Sequence, residues 1–423
     1  MQIELLKIIK DLKQEYIKKF NNIEYKFEKG TCIENWVEKL QNPFFTSVFE
    51  KLKMRQFENI IIFKYLDFEY LFYKNPEISY TQFWNLYNGI YRECRGITID
   101  VEKEEIVTLP YPKFFNINEQ EETSEGNILT ALKKAKKVEF TDKLDGSLII
   151  SRWYNGRDFT TSSSVIDEKD SSIISYAKKI LKQENYQLML SSYPNWTFLF
   201  EEISGNDQHT VIYNQESYGL YLTGMRNVDT GELKSYEEIV SIGKNFNVKI
   251  PEKYNLTFSE ILSEREKFKH SEKEGYVMNI DGWLVKIKCT EYILLHKMLK
   301  NNYSKNDIIE AIYKNRIDDI YSTADDTFKQ VIDETINIIN EYCYLVDKEV
   351  EKYFLAAPKD KIEFHKYVKT IPSFYSRYVT QKYYNKNISY LIVRDCGKTV
   401  QYVKYLEMEQ MIDNIKNNIL YRR

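Results

Sequence analysis

The chain has 423 residues, 43% of them apolar and 29% charged, with a formal net charge of -3 and a pI near 6.0. That length suits two or three domains with real cores, and that mixture excludes a disordered chain. The near-neutral balance provides no global attraction for nucleic acid, so such a role must rest on local patches.

The opening MQIELLKIIKDLKQEYIKKF predicts an amphipathic helix with Leu5, Leu6, Ile8, Ile9, Leu12 and Phe20 on its apolar face. It lacks the basic start, apolar block and cleavage site of a signal peptide, and no apolar run is long enough to span a membrane. Helical segments continue to about residue 55, interrupted by a loop at Asn42-Pro43. From about 56 to 295 short β-rich runs dominate: ENIIIFKYL, RGITIDVE, EEIVTL, KVEFTDK, SLIISRWY, WTFLFEEI, YGLYLTGMRN, EGYVMNI and GWLVKIKC. Tyr154-Asn155-Gly156-Arg157 predicts a hairpin turn, and Asn279-Ile280-Asp281-Gly282 a second tight reversal. Antiparallel strands with interspersed helices predict an α+β fold rather than a doubly wound sheet.

From about 296 the pattern becomes helical. Phe328, Val331, Ile332, Ile336, Ile339, Tyr342, Leu345, Val346, Val350 and Phe354 repeat at helical spacing. Residues 305–352 carry 6 basic and 12 acidic side chains, whereas 359–423 carry 13 basic and 6 acidic. The second stretch interleaves cations with rings, in Lys366, Tyr367, Lys369, Phe374, Tyr375, Arg377, Tyr378, Lys382 and Tyr383. That texture suits phosphate contacts with base stacking, and equally a solvated helix face over an aromatic core. Five scattered cysteines (Cys32, Cys94, Cys289, Cys343, Cys396) form no C-x-x-C pair, which points to a reducing compartment rather than a disulfide framework. The four histidines are too dispersed for an imidazole metal cluster.

The sharpest chemical signal is Lys143-Leu144-Asp145-Gly146-Ser147, where a strand ends in a lysine before an Asp-Gly turn. Such a lysine presents its amine at the mouth of a sheet pocket, and once deprotonated it is a nucleophile. Alone, the motif is as often a surface turn as an active site. Other segments surround it in order: Glu93-Cys94-Arg95-Gly96-Ile97, Lys113-Phe114-Phe115-Asn116, Phe200-Glu201-Glu202-Ile203-Ser204, Leu222-Thr223-Gly224-Met225-Arg226-Asn227, Glu274-Gly275-Tyr276-Val277 and Leu284-Val285-Lys286-Ile287-Lys288. Taken singly, Glu201 and Glu274 read as ordinary strand-end carboxylates and Arg95 as a salt-bridge residue. Together the segments supply cations and carboxylates as a triphosphate with a divalent metal requires.

In these segments the chain resembles the covalent nucleotidyltransferase superfamily of ATP-dependent ligases and RNA-capping enzymes. Within it, ECRGI, KFFN and KIK followed by Tyr292 resemble the RNA ligase 1 type of T-even phages. The likeness covers about 55–295 and continues more weakly through Glu310-Ala311-Ile312 and Asp318-Asp319-Ile320. It implies an antiparallel-sheet nucleotidyltransferase (ATP-grasp-like ligase) domain over 56–295, with 1–55 as its N-terminal helical portion. An all-helical C-terminal domain, 296–423, would bind the RNA substrate.

The implied activity is ATP-dependent joining of a 5′-phosphate RNA end to a 3′-hydroxyl through a lysyl-AMP enzyme and an adenylated RNA end. By the same resemblance Lys143 would be adenylated, Arg95 and Lys113 would grip the triphosphate, and Glu201 would accept from the ribose hydroxyls. Lys286 and Lys288 would contact the α-phosphate, and Tyr65, in Phe63-Lys64-Tyr65, would contact ATP. Glu274 would organise a hydrated magnesium ion, and Asp318 would be a second metal position. The expected partners are RNA ends, with a nicked tRNA anticodon loop as substrate and an end-healing kinase/phosphatase as functional partner. A cytoplasmic monomer, in a bacterial or virus-infected cell, is expected.

One departure stands out. Where this ligase type carries a Lys-rich segment, this chain reads Thr160-Thr161-Ser162-Ser163-Ser164, leaving Arg152, Arg157 or Lys169 as substitutes. The alternatives are an RNA-binding protein of the same fold without sealing, or a DNA ligase or capping-type nucleotidyltransferase.

Overall fold

Helix starts follow local capping chemistry. Thr31 and Glu34 form a capping box that opens Cys32–Leu40, and Asn42 caps Pro43–Phe49 with proline in its first turn. The structure, a computed structural model, describes residues 3–66, 78–165, 171–205, 211–269, 271–289, 308–309, 311–312, 317–321, 326–384, 386, 388, 391–392, 395 and 405–416. Lys169, Tyr292 and Glu310 lie outside the described residues.

The first helix, Glu4–Phe20, buries Leu5, Leu6, Ile8, Ile9 and Leu12 at helical spacing. Phe20, expected on that face, is 40% exposed, because the helix ends beside it at Asn21 in a left-handed conformation (φ 55°). Its ring lies 4.7 Å from that of Tyr16 instead. Strand structure begins at Leu52, a few residues before the expected change at 56.

Two compact units divide the chain. The first comprises Met1–Tyr65 and Phe83–His296, the second Leu66–Gln82 and Lys297–Arg423. Residues 66–82 thus group with the helical unit rather than with the 56–295 region. Among the described residues this grouping is carried by Tyr80, whose ring lies 5.0 Å from that of Tyr321.

In the first unit, β1 (Leu52–Phe57), β2 (Ile60–Tyr65), β3 (Arg95–Asp100) and β4 (Glu105–Thr108) form one antiparallel sheet in that order. Five strands, β5 (Phe115–Asn116), β6 (Val138–Lys143), β11 (Lys253–Tyr254), β12 (Gly275–Ile280) and β13 (Trp283–Lys288), form a second in the order β11-β6-β12-β13-β5. Only its β13–β5 pairing is parallel. A third has the order β10-β9-β7-β8, from β7 (Ser147–Tyr154), β8 (Arg157–Thr161), β9 (Trp196–Ile203) and β10 (Gly219–Asn227).

Both predicted reversals are two-residue turns with positive φ throughout: Asn155 and Gly156 (51° and 77°) join β7 to β8, and Asp281 and Gly282 (49° and 95°) join β12 to β13. That backbone twist matches paired strands and is open to Asn, Asp and Gly. It sets the register that matters most. Lys143 pairs with Gly275, which pairs with Lys288, and Thr141, Val277 and Lys286 form the next row. Because strand side chains alternate, both rows face one side of the sheet. On the other side Phe140, Tyr276, Met278 and Ile280 bury against Ile128 of helix Glu125–Leu132 and Ile261 of helix Phe258–Glu264. The β7–β10 sheet is covered in the same way by helices Ser172–Leu181, Glu184–Ser192 and Tyr236–Phe246.

Arg226 of β10 and Glu93, each inside a segment that the sequence marks as chemical, form a two-pronged pair. Arg226 Nη1 donates to Glu93 Oε2 at 2.6 Å and Nη2 to Oε1 at 3.0 Å, and the guanidinium also donates to the carbonyls of Pro110 and Gly231. Arg226 is 3% exposed, so it is a joint between segments and not a ligand.

The second unit is built on helix Asp326–Leu355, which buries Ile332, Ile336, Ile339, Tyr342, Val346 and Val350 as the periodicity predicts. Much of the basic–aromatic stretch serves its core. Tyr375 and Tyr378 of helix Ser373–Tyr383 are buried, Arg377 pairs with Asp395, and Lys382 pairs with Glu351. Lys366 and Lys369 stay exposed. Among the described residues no helix is long and apolar enough to cross a membrane, and Cys32, Cys94, Cys289 and Cys343 are buried.

Truncating Arg226 strands the Glu93 carboxylate in a partly buried site. Arg226→Ala should cost about 3–5 kcal/mol, read as a lower urea midpoint for the first unit. The double variant Glu93→Gln/Arg226→Met leaves no stranded charge and should cost less than Arg226→Ala alone.

Candidate active site

The β6–β12–β13 register brings the predicted lysines together around one carboxylate. Lys143 Nζ lies 2.5 Å from Glu274 Oε2, and Lys288 Nζ lies 3.5 Å from Glu274 Oε1. The side chains are 19%, 12% and 5% exposed for Lys143, Lys288 and Glu274, so the amine is reachable from a cavity yet shielded from bulk water. Between the two lysines stands Gly275. A Cβ there would meet the Ile287 carbonyl oxygen at 2.3 Å and Lys288 Cα at 2.6 Å, so only glycine allows β12 to enter the sheet this closely.

The Lys143-Leu144-Asp145-Gly146 turn is fixed just as tightly. A Cβ on Gly146 would meet the Glu202 carbonyl oxygen at 2.5 Å and Glu201 Cγ at 2.7 Å. The Asp145 carboxylate accepts from the Val211 backbone N–H at 2.9 Å, and the Asp145 N–H donates to the Tyr213 hydroxyl at 2.8 Å. Asp145 is therefore a clamp on the turn, which explains the motif's aspartate without giving it a reaction role.

A cavity of about 410 Å³ opens between the five-stranded sheet and the β7–β10 sheet. Arg95, Lys143, Glu201, Lys286 and Lys288 all line it, joined by Tyr111, Phe114, Thr141, Thr223 and Asn279. Its size is that of a nucleotide-scale pocket. Phe114 spaces the cations: the Arg95 guanidinium lies 5.8 Å and the Lys286 ammonium 5.7 Å from its ring centroid. Glu201 accepts from the Gly146 backbone N–H at 3.2 Å. Burial pushes its carboxyl up to about 7, against the opposing pull of Lys143 and with Glu274 adding to the rise.

Three expected positions lie elsewhere. Lys113 is 6% exposed, 3.6 Å from Glu119 and over the rings of Trp84 (5.2 Å) and Phe115 (5.5 Å), and it does not line the cavity. Lys113 and Phe114 are consecutive in the segment leading into β5, and with Phe114 turned to the cavity its neighbour faces away. Tyr65 ends β2 as a core residue, 7% exposed, its ring edge-on to Trp84 at 5.0 Å. Asp318 lies half-buried on helix Ile317–Tyr321 of the second unit.

The two described candidates for the missing cation at Ser162 do not fill the gap either. Arg152 donates to the carbonyls of Ile106, Val107 and Pro194 and is spent on joining sheets, and Arg157 is exposed at the start of β8. Ser162 is occupied in a tight turn, its hydroxyl accepting from the Val165 backbone N–H at 3.2 Å. Tyr111, Phe114 and Thr223 line the cavity without having been singled out. The available signal was their place inside or beside the quoted segments.

The Glu201 carboxyl offers a pH test. Its ordinary value is 4.5, so the folded state holds an extra proton between about 4.5 and 7, and stability falls as pH rises through that window. Glu201→Gln keeps an oxygen for the Gly146 N–H and removes the titration. Its melting temperature relative to wild type should rise between pH 4.5 and 7 and then level off.

Comparison with known proteins sets this geometry in context. Residues 93–303 match the family model described as RNA ligase. The "Putative RNA ligase" of Thermovibrio ammonificans is 29% identical over 251 residues, covering 55% of this chain and 61% of that protein. The "Putative bifunctional polynucleotide kinase/RNA ligase" of Autographa californica nuclear polyhedrosis virus is 23% identical over 268 residues, covering 59% of this chain and 38% of that one. The match therefore spans about three fifths and two fifths of these relatives' own lengths. Among solved structures, an archaeal ATP-dependent RNA ligase aligns over 92% of this chain and 99% of its own, at 10% identity and a TM-score of 0.43. Residues 93–303, which hold Lys143 and its surrounding cations, are the part of the chain that matches the RNA ligase family.

Proposed function

We propose that this protein is an ATP-dependent RNA ligase that carries AMP on Lys143. The observation that carries this reading is the Lys143 amine held against Glu274 in a cavity also lined by Arg95, Lys286 and Lys288, within the part of the chain that matches the RNA ligase family. Lys143 Nζ loses its proton and attacks the α-phosphorus of ATP. The N–P bond forms as the bond to the bridging oxygen breaks, and pyrophosphate leaves. An RNA 5′-phosphate oxygen then attacks the same phosphorus and frees the lysine. In the last step a 3′-hydroxyl attacks the activated 5′-phosphate, and AMP departs.

Arg95 and Lys286 are placed to meet the phosphate charge from the two sides of Phe114, and Lys288 to meet it beside the nucleophile. Glu201, at the turn glycine, is the acceptor for the ribose hydroxyls. A divalent cation, magnesium in our reading, would reduce the phosphate charge that repels an attacking group. Glu274 supports it only as a partner of a hydrated ion, since its two oxygens already face Lys143 and Lys288. Among the described residues no group of three or more His, Cys, Asp or Glu could hold a metal. We assign Asp318 no more than an auxiliary metal role, and we give Lys113 and Tyr65 a supporting place behind the cavity rather than contact with ATP.

The RNA ends are proposed to be those of nicked tRNA anticodon loops, contacted by exposed lysines of the second unit such as Lys366 and Lys369. An end-healing kinase, the activity named beside RNA ligase in the viral relative, would supply the 5′-phosphate.

Incubation with magnesium and α-labelled ATP should place acid-stable label on the wild type and none on Lys143→Ala, and a chelator should abolish it. Label from GTP alone would favour a capping enzyme, and no label from either would leave an RNA-binding protein of this fold. With adenylation in hand, a nicked anticodon stem-loop should be sealed faster than unstructured RNA, and DNA ends should not be joined. Equal rates on the two RNAs would remove the tRNA assignment.

A further inference from the structure

Behind the Lys143–Glu274 contact lies a second ion pair formed by the residues immediately before each partner. Lys273, 7% exposed, directs its ammonium to the Asp142 carboxylate and donates to the Tyr254 hydroxyl at 2.8 Å. Ring centroids of Tyr254, Tyr276 and Phe268 surround it at 4.3, 4.5 and 5.6 Å, an aromatic cage around a buried cation.

The two pairs cross over against the strand alternation. Continued regularly back from Gly275, Glu274 would share the face of Tyr276, and Lys273 would share the face of Lys143. In the structure Glu274 instead reaches Lys143 and Lys288, and Lys273 reaches the face of Asp142 and Tyr276. The carboxylate can come across because Gly275 offers no side chain to block it. Caging Lys273 also commits its ammonium to Asp142 and Tyr254 rather than to Glu274. A buried ion pair is a poor source of net stability, since well-packed apolar side chains do as well, so placement is the better account of its presence.

We propose that Asp142 and Lys273 are a positioning pair: they hold the start of β12 so that Glu274, and through it Lys143, sits where the attack on the α-phosphorus begins. Asp142 borders the same cavity, but its carboxylate is paired with Lys273, and the pair acts through Glu274. The inference rests on the adenylation reading given above.

The test compares single-turnover self-adenylation of wild type, Asp142→Asn/Lys273→Met, Glu274→Gln and the triple variant, with melting temperatures recorded. The double variant keeps both shapes and strands no charge. Its maximal rate should fall about a hundredfold, the loss that about 1 Å of misplacement brings, while the half-saturating ATP concentration is unchanged. In the Glu274→Gln background the same double change should cause no further loss. A wild-type maximal rate in the double variant, or an equal further loss without Glu274, overturns the proposal. Should the wild type take no label, the adenylation reading fails by itself. The crystal structure of the double variant then decides: a displaced Glu274 carboxylate supports the positioning role, and an unchanged Lys143–Glu274 contact overturns it.

Discussion

One carboxylate shared by two lysines on strands that flank its own is the constraint on which the first unit depends. Glu274 meets Lys143 of β6 on one side and Lys288 of β13 on the other. Two ammonium groups held this close repel, and away from water that repulsion grows, so the arrangement stands only while the carboxylate lies between them. The features around it serve that end: the Asp281-Gly282 turn sets the β12–β13 register, Gly275 opens the gap, and the apolar far face gives the sheet its stiffness. Chemistry and architecture share the same residues here, which is why the charged row sits at the end of the strands rather than on a separate loop.

Much of this was legible along the sequence because it is encoded locally. Asn155-Gly156 and Asp281-Gly282 specify their turns by backbone conformation alone, and the strands between them show their alternation directly. Lys286 and Lys288 could be placed on one face because alternation fixes the face of each side chain, whereas their meeting with Lys143 was implied by the resemblance alone. The expectations that moved were those that depend on direction. A motif states which residue types occur, and Lys113 next to Phe114 illustrates that only one of two neighbours can face the cavity. Tyr65 moved for a related reason, since a ring at a strand end packs on whichever partner is nearest, here Trp84.

The basic–aromatic stretch of the second unit shows the same limit. Its composition fits both phosphate contacts with base stacking and a solvated helix face over an aromatic core; the described residues place Tyr375 and Tyr378 in that core, with Arg377 and Lys382 paired to carboxylates nearer the surface. The Asp142–Lys273 pair was invisible for a different reason. Its members are 131 residues apart, and neither belongs to a pattern that repeats.

That separation bears on how the protein is made. Lys143 and Glu274 are also 131 residues apart, and Arg226 and Glu93 are 133 apart. Contacts of this range close late, because the chain entropy lost in forming such loops is not recovered until neighbouring pairs also form. During synthesis β6 leaves the ribosome long before β12 and β13, so the lysine exists for some time without its carboxylate. The charged row is therefore complete only once the β12–β13 hairpin, itself closed by a local two-residue turn, has paired with β6.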